Sequence, residues 1–177
     1  MQIRTRQAGD AIDIRNVIAE AFDTSDHGHN GEADLVDQIH ASGNDMVSLV
    51  ALDRTNVLGH VLFSPAQITG ESGVVHGVGL APVSVSPSVQ RQGIGSALIN
   101  DGLKQLRAMQ ADFAVVIGDP AYYQRFGFIP ASQHELTHDF DGIPQEFLMV
   151  QSLREDSSQI PAGTVRYCEQ FYDEPTA

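Results

Sequence analysis

Val83-Ser84-Val85-Ser86-Pro87-Ser88-Val89-Gln90-Arg91-Gln92-Gly93-Ile94-Gly95-Ser96-Ala97-Leu98 is the stretch on which the fold turns. Val83 to Val85 close a long apolar run, Val74 to Ser86, that reads as a strand. Gly93 to Met109 reads as a helix. Gly93 and Gly95 sit where the loop becomes that helix. Glycine lets a phosphate come close to the backbone, and the free amides of a helix N-terminus point at it. The helix dipole adds roughly half a positive charge there, and Arg91 adds a full one. Two familiar phosphate loops do not fit. No Gly-Lys-Ser/Thr follows, which excludes a Walker A loop. Leu98 stands at the third glycine position of a dinucleotide fingerprint, and Ser86 to Gln92 separate the strand from the first glycine.

Outward from this unit, Gln2 to Arg6 reads as a strand. Ile14, Val17, Ile18, Ala21 and Phe22 form one face of an amphipathic helix that begins near Asp10. Asp23 to Asn30 reads as a polar loop and Glu32 to Ala41 as a second helix. Met46 to Leu52 and Val57 to Phe63, divided by Asp53-Arg54-Thr55-Asn56, read as a hairpin. A turn at Gly70 to Gly73 leads into the long run. Beyond the central helix, Phe113 to Ile117 is a short buried strand, and Phe147 to Val150 and Thr164 to Cys168 are later ones. Consecutive strands favour antiparallel pairing, and the strand–helix–strand unit from 83 to 117 favours one parallel pair with a right-handed crossover. The expected class is α+β: one mixed, mostly antiparallel sheet of six to seven strands with helices on both faces. With 177 residues and no linker or repeat, residues 1–177 are expected to form one domain. Its motifs fall in about 3–150, followed by a C-terminal strand and tail at 151–177.

Composition narrows the function. Hydrophobic residues make up 42% and charged residues 19%, as in globular proteins. Against 10 Lys and Arg stand 23 Asp and Glu, a formal charge of −13. Such a chain lacks the basic face that nucleic acid or anionic lipid requires. No apolar run approaches the ~20 residues of a membrane span, and the N-terminus has no signal-peptide core. Cys168, the single cysteine, can form no intrachain disulfide. A reducing compartment, the cytoplasm, is the expectation. No sequence feature sets an oligomeric state.

A second segment lies downstream: Gly118-Asp119-Pro120-Ala121-Tyr122-Tyr123-Gln124-Arg125-Phe126-Gly127-Phe128. Asp119 can cap a helix, and Pro120 is tolerated at its first position. Taken in order, a strand, then Gln90-Arg91-Gln92-Gly93-Ile94-Gly95, then an aromatic pair followed by Gly-Phe, the chain resembles the GCN5-related N-acetyltransferase superfamily. Within it, the chain resembles a bacterial subgroup that carries Gly-Asp-Pro before the aromatic pair. The resemblance implies acetyl-CoA as cosubstrate and no metal. It implies that Gln90, Arg91, Gln92, Gly93, Ile94, Gly95 and Ser96 hold the pyrophosphate. Backbone groups of Val83 and Val85 would bond the pantetheine arm. Proline within a strand marks a bulge or an edge, and Pro82 matches the bulge at which the family's strand splays. The resemblance makes Tyr123 the donor to the departing thiolate. Here Asp119-Pro120 shortens the spacing that many members show, which leaves Tyr122 as the alternative.

In the family, the first two helices and their loop wall the acceptor site. Asp23 to Asp45 holds six acidic residues and no Lys or Arg. It is either an acidic wall that draws a cationic amine or a solvated face. The attacking amine must lose a proton, and the candidate bases are Glu32, His76 and His29 in that order. His27 and His29 form a weak metal pair. His134-Glu135-Leu136-Thr137-His138 matches H-E-x-x-H, which on a helix can hold zinc. The breakers Asp139 to Pro144 follow at once, and no third histidine comes after, so a polar surface loop is the better reading. Cys168 reads as a small buried residue. The expected function is acetyl-CoA-dependent transfer to a primary amine in a ternary complex. A non-catalytic acyl-CoA-binding module is the alternative, and a zinc hydrolase using His134, Glu135 and His138 a remote one.

Overall fold

Apolar spacing in the chain is realised as buried helix faces. A computed structural model describes residues 1–23, 31–154 and 160–172. Helix α1 (Ala11–Asp23) buries Ile14, Val17 and Ile18, and α2 (Glu32–Ser42) buries Val36 and Ile39. At the start of α1, the Asp10 carboxylate accepts the Gln7 N–H at 2.7 Å and both arms of Arg4 at 2.6 and 2.8 Å. A left-handed residue, Gly43, ends α2.

The strands are β1 (Gln2–Thr5), β2 (Val47–Asp53), β3 (Asn56–Gly70), β4 (Gly73–Val85), β5 (Phe113–Ile117), β6 (Ile129–Pro130), β7 (Leu136–His138), β8 (Leu148–Ser152) and β9 (Gly163–Tyr167). They form one sheet with main order β1-β2-β3-β4-β5-β8-β6. Neighbours on this path are antiparallel except β4 and β5, which are joined by helix α3 (Ile94–Ala108) and run parallel. The mixed, mostly antiparallel α+β architecture expected from sequence is what is found. Among the described residues the sheet has nine strands rather than six or seven. The additional pieces are β6 and β7, of two and three residues, too short to leave a periodic signal. One edge of the fifteen-residue β3 pairs β4, and the other edge is shared: its first half pairs β2, and Ala66 to Thr69 pair β9.

Two layers of side chains flank the sheet. On one face Leu98, Ile99, Leu103 and Leu106 of α3 pack on Val61, Phe63, Leu80 and Val116. On the other, α1 and α2 cover Val50, Leu52 and Leu62. A third cluster joins Phe113, Val115, Leu148 and Val150 to Val165 and Tyr167 of β9. β5 shows the period of two directly, with Ala114 and Val116 in one cluster and Phe113 and Val115 in another.

β4 carries the irregularity that matters. The β3–β4 register shifts between Val61, opposite Val83, and Phe63, opposite Leu80. Ala81 and Pro82 are thus accommodated as a bulge. An extra residue inverts the side-chain alternation: Val78 and Leu80 face α3 before it, and Val83 and Val85 pack on that same cluster after it. The parallel β4–β5 ladder ends at Leu80 and Val116, while β4 runs on to Val85.

Two tests follow from the packing. A Cβ at position 79 would overlap the Tyr167 ring. Gly79→Ala should cost about 1–3 kcal/mol of stability by overpacking, and an unchanged urea midpoint would show that β9 yields freely. Hydrogen bonds from Arg4, with the Gln7 N–H, hold the Asp10 carboxyl below its ordinary value against its burial. That stabilisation exists above the unfolded carboxyl's pKa of about 4 and is lost as pH falls through the lower folded value. The stability gap between wild type and Asp10→Asn should be widest at neutral pH and narrow on acidification.

Candidate active site

Where β4 outruns its ladder with β5, a cleft of about 780 Å³ opens. This falls within the range of roughly 300–1,000 Å³ typical of small-ligand sites. β4 contributes Val83 and Val85, and the loop and the start of α3 contribute Gln90, Arg91 and Gly93 to Ser96. Ala21 and Phe22, at the end of α1, form another wall. The last side is Tyr122, from α4 (Pro120–Tyr123), and Arg125 just beyond it. Eight of the nine predicted cofactor residues therefore share one cleft; Gln92 is exposed and does not line it.

Local chemistry shapes the loop. Pro87 starts a single 3-10 turn after β4, closed by the Val89 N–H on the Ser86 carbonyl at 3.0 Å. The Gln90 amide donates to the Val85 carbonyl at 3.0 Å, tying the loop back to its strand. Gly93 then takes φ +86°, a left-handed backbone that glycine adopts without a Cβ penalty. The first α3 hydrogen bond runs from Ala97 N–H to the Gly93 carbonyl at 2.9 Å. The earlier amides, through Ser96, have no helical carbonyl to bond. They and Arg91 make an anion cradle in a chain of formal charge −13.

The aromatic pair is divided between the cleft and the core. Asp119 caps α4 as expected, its side chain accepting the Ala121 N–H at 2.9 Å. Tyr122 lines the cleft, its hydroxyl against Gly95, with 3.1 Å between that oxygen and the place a Cβ would occupy there. The Arg125 guanidinium lies 4.4 Å over the Tyr122 ring, and its Nε donates to the Tyr122 carbonyl at 3.1 Å. Tyr123 is buried against Gly118 and makes edge contact with Phe128 at 5.9 Å. Among the described residues its hydroxyl has no hydrogen-bond partner. Burial, with Tyr122 and Asp119 adding to it, pushes its pKa well above the tyrosine range and keeps the phenol protonated.

The remaining candidates lie elsewhere. Glu32 opens α2, with its carboxylate 3.4 Å from the Gly31 N–H, and is not among the described residues lining the cleft. His76 is exposed on the outer half of β4, opposite Gln67. His27 and His29 fall outside the described residues. The acidic segment is partly neutralised from outside: Arg15 bridges Asp34 and Asp37 at 2.6 Å each, and Arg6 meets Asp45 at 3.2 Å. The Cys168 thiol is half-buried and its pKa is raised by that burial.

The H-E-x-x-H reading fails on geometry. His134 ends a 3-10 turn, Glu135 takes a left-handed φ of +54°, and Leu136 to His138 form β7. The histidines share no helix face. Nor is the segment the polar surface loop expected: β7 pairs in parallel with β9, and Leu136 and His138 are buried. Among the described residues, no group of three or more metal-capable side chains assembles. No described helix is long and apolar enough to cross a membrane.

Sequence reasoning missed Ala21, Phe22 and Arg125 as cleft residues. Arg125 had a signal, three residues from Tyr122 and so on the same side of a helical turn. The α1 pair had none, because the apolar stripe that packs the helix looks the same where it runs out into a cleft.

Comparison with known proteins agrees with this geometry. Residues 2–131 match the family described as acetyltransferase (GNAT) domain. The chain is 34% identical to the uncharacterized N-acetyltransferase YhbS of Escherichia coli K12, over 97% of this chain and 98% of that one. It is 39% identical to YjhQ of the same organism, over 70% of this chain and 66% of that one. The crystal structure of E. coli YhbS in complex with CoA superposes with a TM-score of 0.86 at 32% identity, covering 97% and 92% of the two chains. A GNAT acetyltransferase of Brucella melitensis in complex with acetyl-CoA gives 0.80 at 35% identity, covering 96% and 97%. With a family model matching residues 2–131 and a relative 34% identical along nearly its whole length, the chain belongs to the GNAT acetyltransferase family.

Proposed function

We propose that the cleft takes acetyl-CoA and that the chain moves the acetyl group directly to a primary amine in a ternary complex, on a single N-acetyltransferase domain. The observation that carries this reading is the coincidence of two features at one cleft. An anion cradle suits a pyrophosphate, and a strand edge released past Leu80 suits the amides of a pantetheine arm. The CoA and acetyl-CoA complexes of the two similar structures support it. Arg91 and Arg125 supply the cations that phosphates require. The oxyanion formed on attack would find a backbone N–H on β4 near Val85.

The donor to the sulfur is Tyr123, provided its core-facing hydroxyl is reached from the cleft, with Tyr122, which lines the cleft, as the alternative. A phenol held above its ordinary pKa transfers its proton uphill to a thiolate of reference value about 8.5. Its role is therefore hydrogen-bond donation to the developing charge. The amine's proton goes to Glu32 or to water. A purely binding module would hold acetyl-CoA without turning it over.

Saturating acetyl-CoA, about 100 times its dissociation constant, should stabilise the protein by roughly 2.7 kcal/mol. For a chain of this length, that raises the melting temperature by roughly 5–10 °C. No rise would exclude the cleft as an acetyl-CoA site. Arg125→Ala should weaken acetyl-CoA binding by about tenfold or more, the scale of one charged hydrogen bond. Tyr123→Phe should lower turnover by about tenfold or more, on the order of 1.4 kcal/mol, with acetyl-CoA affinity little changed. Because Tyr123 stays protonated, the wild-type rate should show no descending limb from it below about pH 10. Full turnover in Glu32→Gln would remove Glu32 from the mechanism.

A further inference from the structure

The fork where β4 and β5 part has a second mouth, on the face of the sheet opposite α3. On β5, Val116 faces α3, while Val115 and Ile117 face the other way. Ala81, the first β4 residue past the ladder, packs on the same cluster as Ile117. Tyr167 of β9 forms the floor beneath them. A Cβ at position 79 would overlap its ring, and its hydroxyl donates to the Val115 carbonyl at 3.4 Å. The ring therefore reaches across β4 to β5. Against it lie Phe171, with ring centroids 4.7 Å apart, and Phe140, at 5.7 Å. Tyr172 stacks on Phe140 at 5.0 Å with the planes 5° apart. Ala81, Ile117, Phe140, Phe171 and Tyr172 are all half-buried, so together they present an apolar, mainly aromatic wall.

The loop 139–147 brings Phe140 there. It leaves β7 from His138, opposite Val165 of β9, and enters β8 at Leu148, opposite Ile117 of β5. Strands β3 and β4 lie between those two partners, so the loop crosses them on the face where Phe140 packs. Its start is fixed. The Gln145 side chain accepts the His138 N–H and donates to the His138 carbonyl, both at 2.9 Å. The Phe140 N–H donates to His138 Nδ1 at 3.2 Å. The Tyr172 hydroxyl donates to Asp139 at 2.8 Å, and Arg166 pairs with Asp139 at 2.9 Å. From Glu135 to Glu146 the chain carries four acids and no Lys or Arg. Asp141 and Glu146 are exposed and make no ion pair among the described residues.

We propose that this second mouth is the acceptor site, and that its substrate class is a cationic amine with a planar apolar body, an arylalkylamine. The inference rests on the acetyltransferase reading: acetyl-CoA laid along Val83 and Val85 fills the cleft and brings its thioester to the fork, and the amine meets it from the mouth the cofactor leaves open. The N–C bond forms as the C–S bond breaks. Of the two protons the ammonium gives up, one ends on sulfur and one leaves to solvent. Half-exposed rings favour an aromatic body by offset or edge contact. The acids of the loop draw its positive charge toward the mouth. A polyamine fits less well. Its second charge would lie against apolar rings without a partner, because Asp139 is already committed to Arg166 and Tyr172.

The test is calorimetric titration of the full chain, saturated with CoA so that no transfer occurs, with phenethylamine, ethylamine and spermidine. Phenethylamine should bind about tenfold or more tighter than ethylamine, the scale of burying one aromatic ring, and tighter than spermidine. Phe140→Leu, which keeps an apolar side chain but removes the ring, should bring phenethylamine to within about threefold of ethylamine. An unchanged CoA affinity in that variant shows that the fold is intact. Equal binding of phenethylamine and ethylamine to the wild type overturns the inference. So does tighter binding of spermidine, or a phenethylamine preference that survives in Phe140→Leu. A melting temperature that acetyl-CoA leaves unmoved removes the acetyltransferase reading. One that rises while the two monoamines bind alike removes the arylalkylamine site alone.

Discussion

The β4–β5 ladder stops at Leu80, and the rest of the site depends on that stop. A proline has no N–H for a ladder, and at position 82 it sits within a bulge that absorbs one extra residue against β3. The bulge has two effects. It releases the far edge of β4 from β5, which opens the cleft. It also inverts the alternation, so that Val83 and Val85 keep an apolar footing on the α3 cluster. Without that inversion, two serines and a proline would face the main core at positions 82, 84 and 86. The same inversion turns Ser84 toward buried His60.

Helix α3 ties the cleft to the core. Its apolar face covers Phe63 and Leu80 while its N-terminus lines the cleft. That wall of the cleft is thus held by the same packing that keeps the parallel pair β4–β5 together. Tyr122 and Arg125 close the site from the far side through a cation–π contact, and Tyr123 anchors their short helix in the core. One residue pair therefore does two jobs because adjacent positions on a helix point about a hundred degrees apart.

The protein is acidic overall, with a formal charge of −13, yet Arg91 and Arg125 both line the cleft. The acidic segment that follows α1 is partly balanced by Arg15 and Arg6, arginines distant in sequence. A run of charge in sequence therefore overstates the free charge of the folded surface. At half-buried His40 and buried His60, desolvation outweighs any single charge in lowering the pKa.

The sequence by itself determined the order of the longer elements, the α+β class, a break in strand regularity at Pro82, the glycine loop at the start of α3 and the Asp119 cap. Each rests on local chemistry: periodicity, a missing N–H, a positive φ, a side chain reaching its own helix start. Tertiary structure decided the rest. The short β6 and β7 exist only because β8 and β9 offer them partners, and β7 turned an apparent zinc helix into sheet. Phe22 and Arg125 became cleft walls, and Glu32 did not, because distance between helices is not written in spacing along either one. The rings of Phe140, Phe171 and Tyr172 join the β7–β8 loop to the C-terminal turn, and no periodicity marks three aromatic residues that meet only when that loop crosses the sheet.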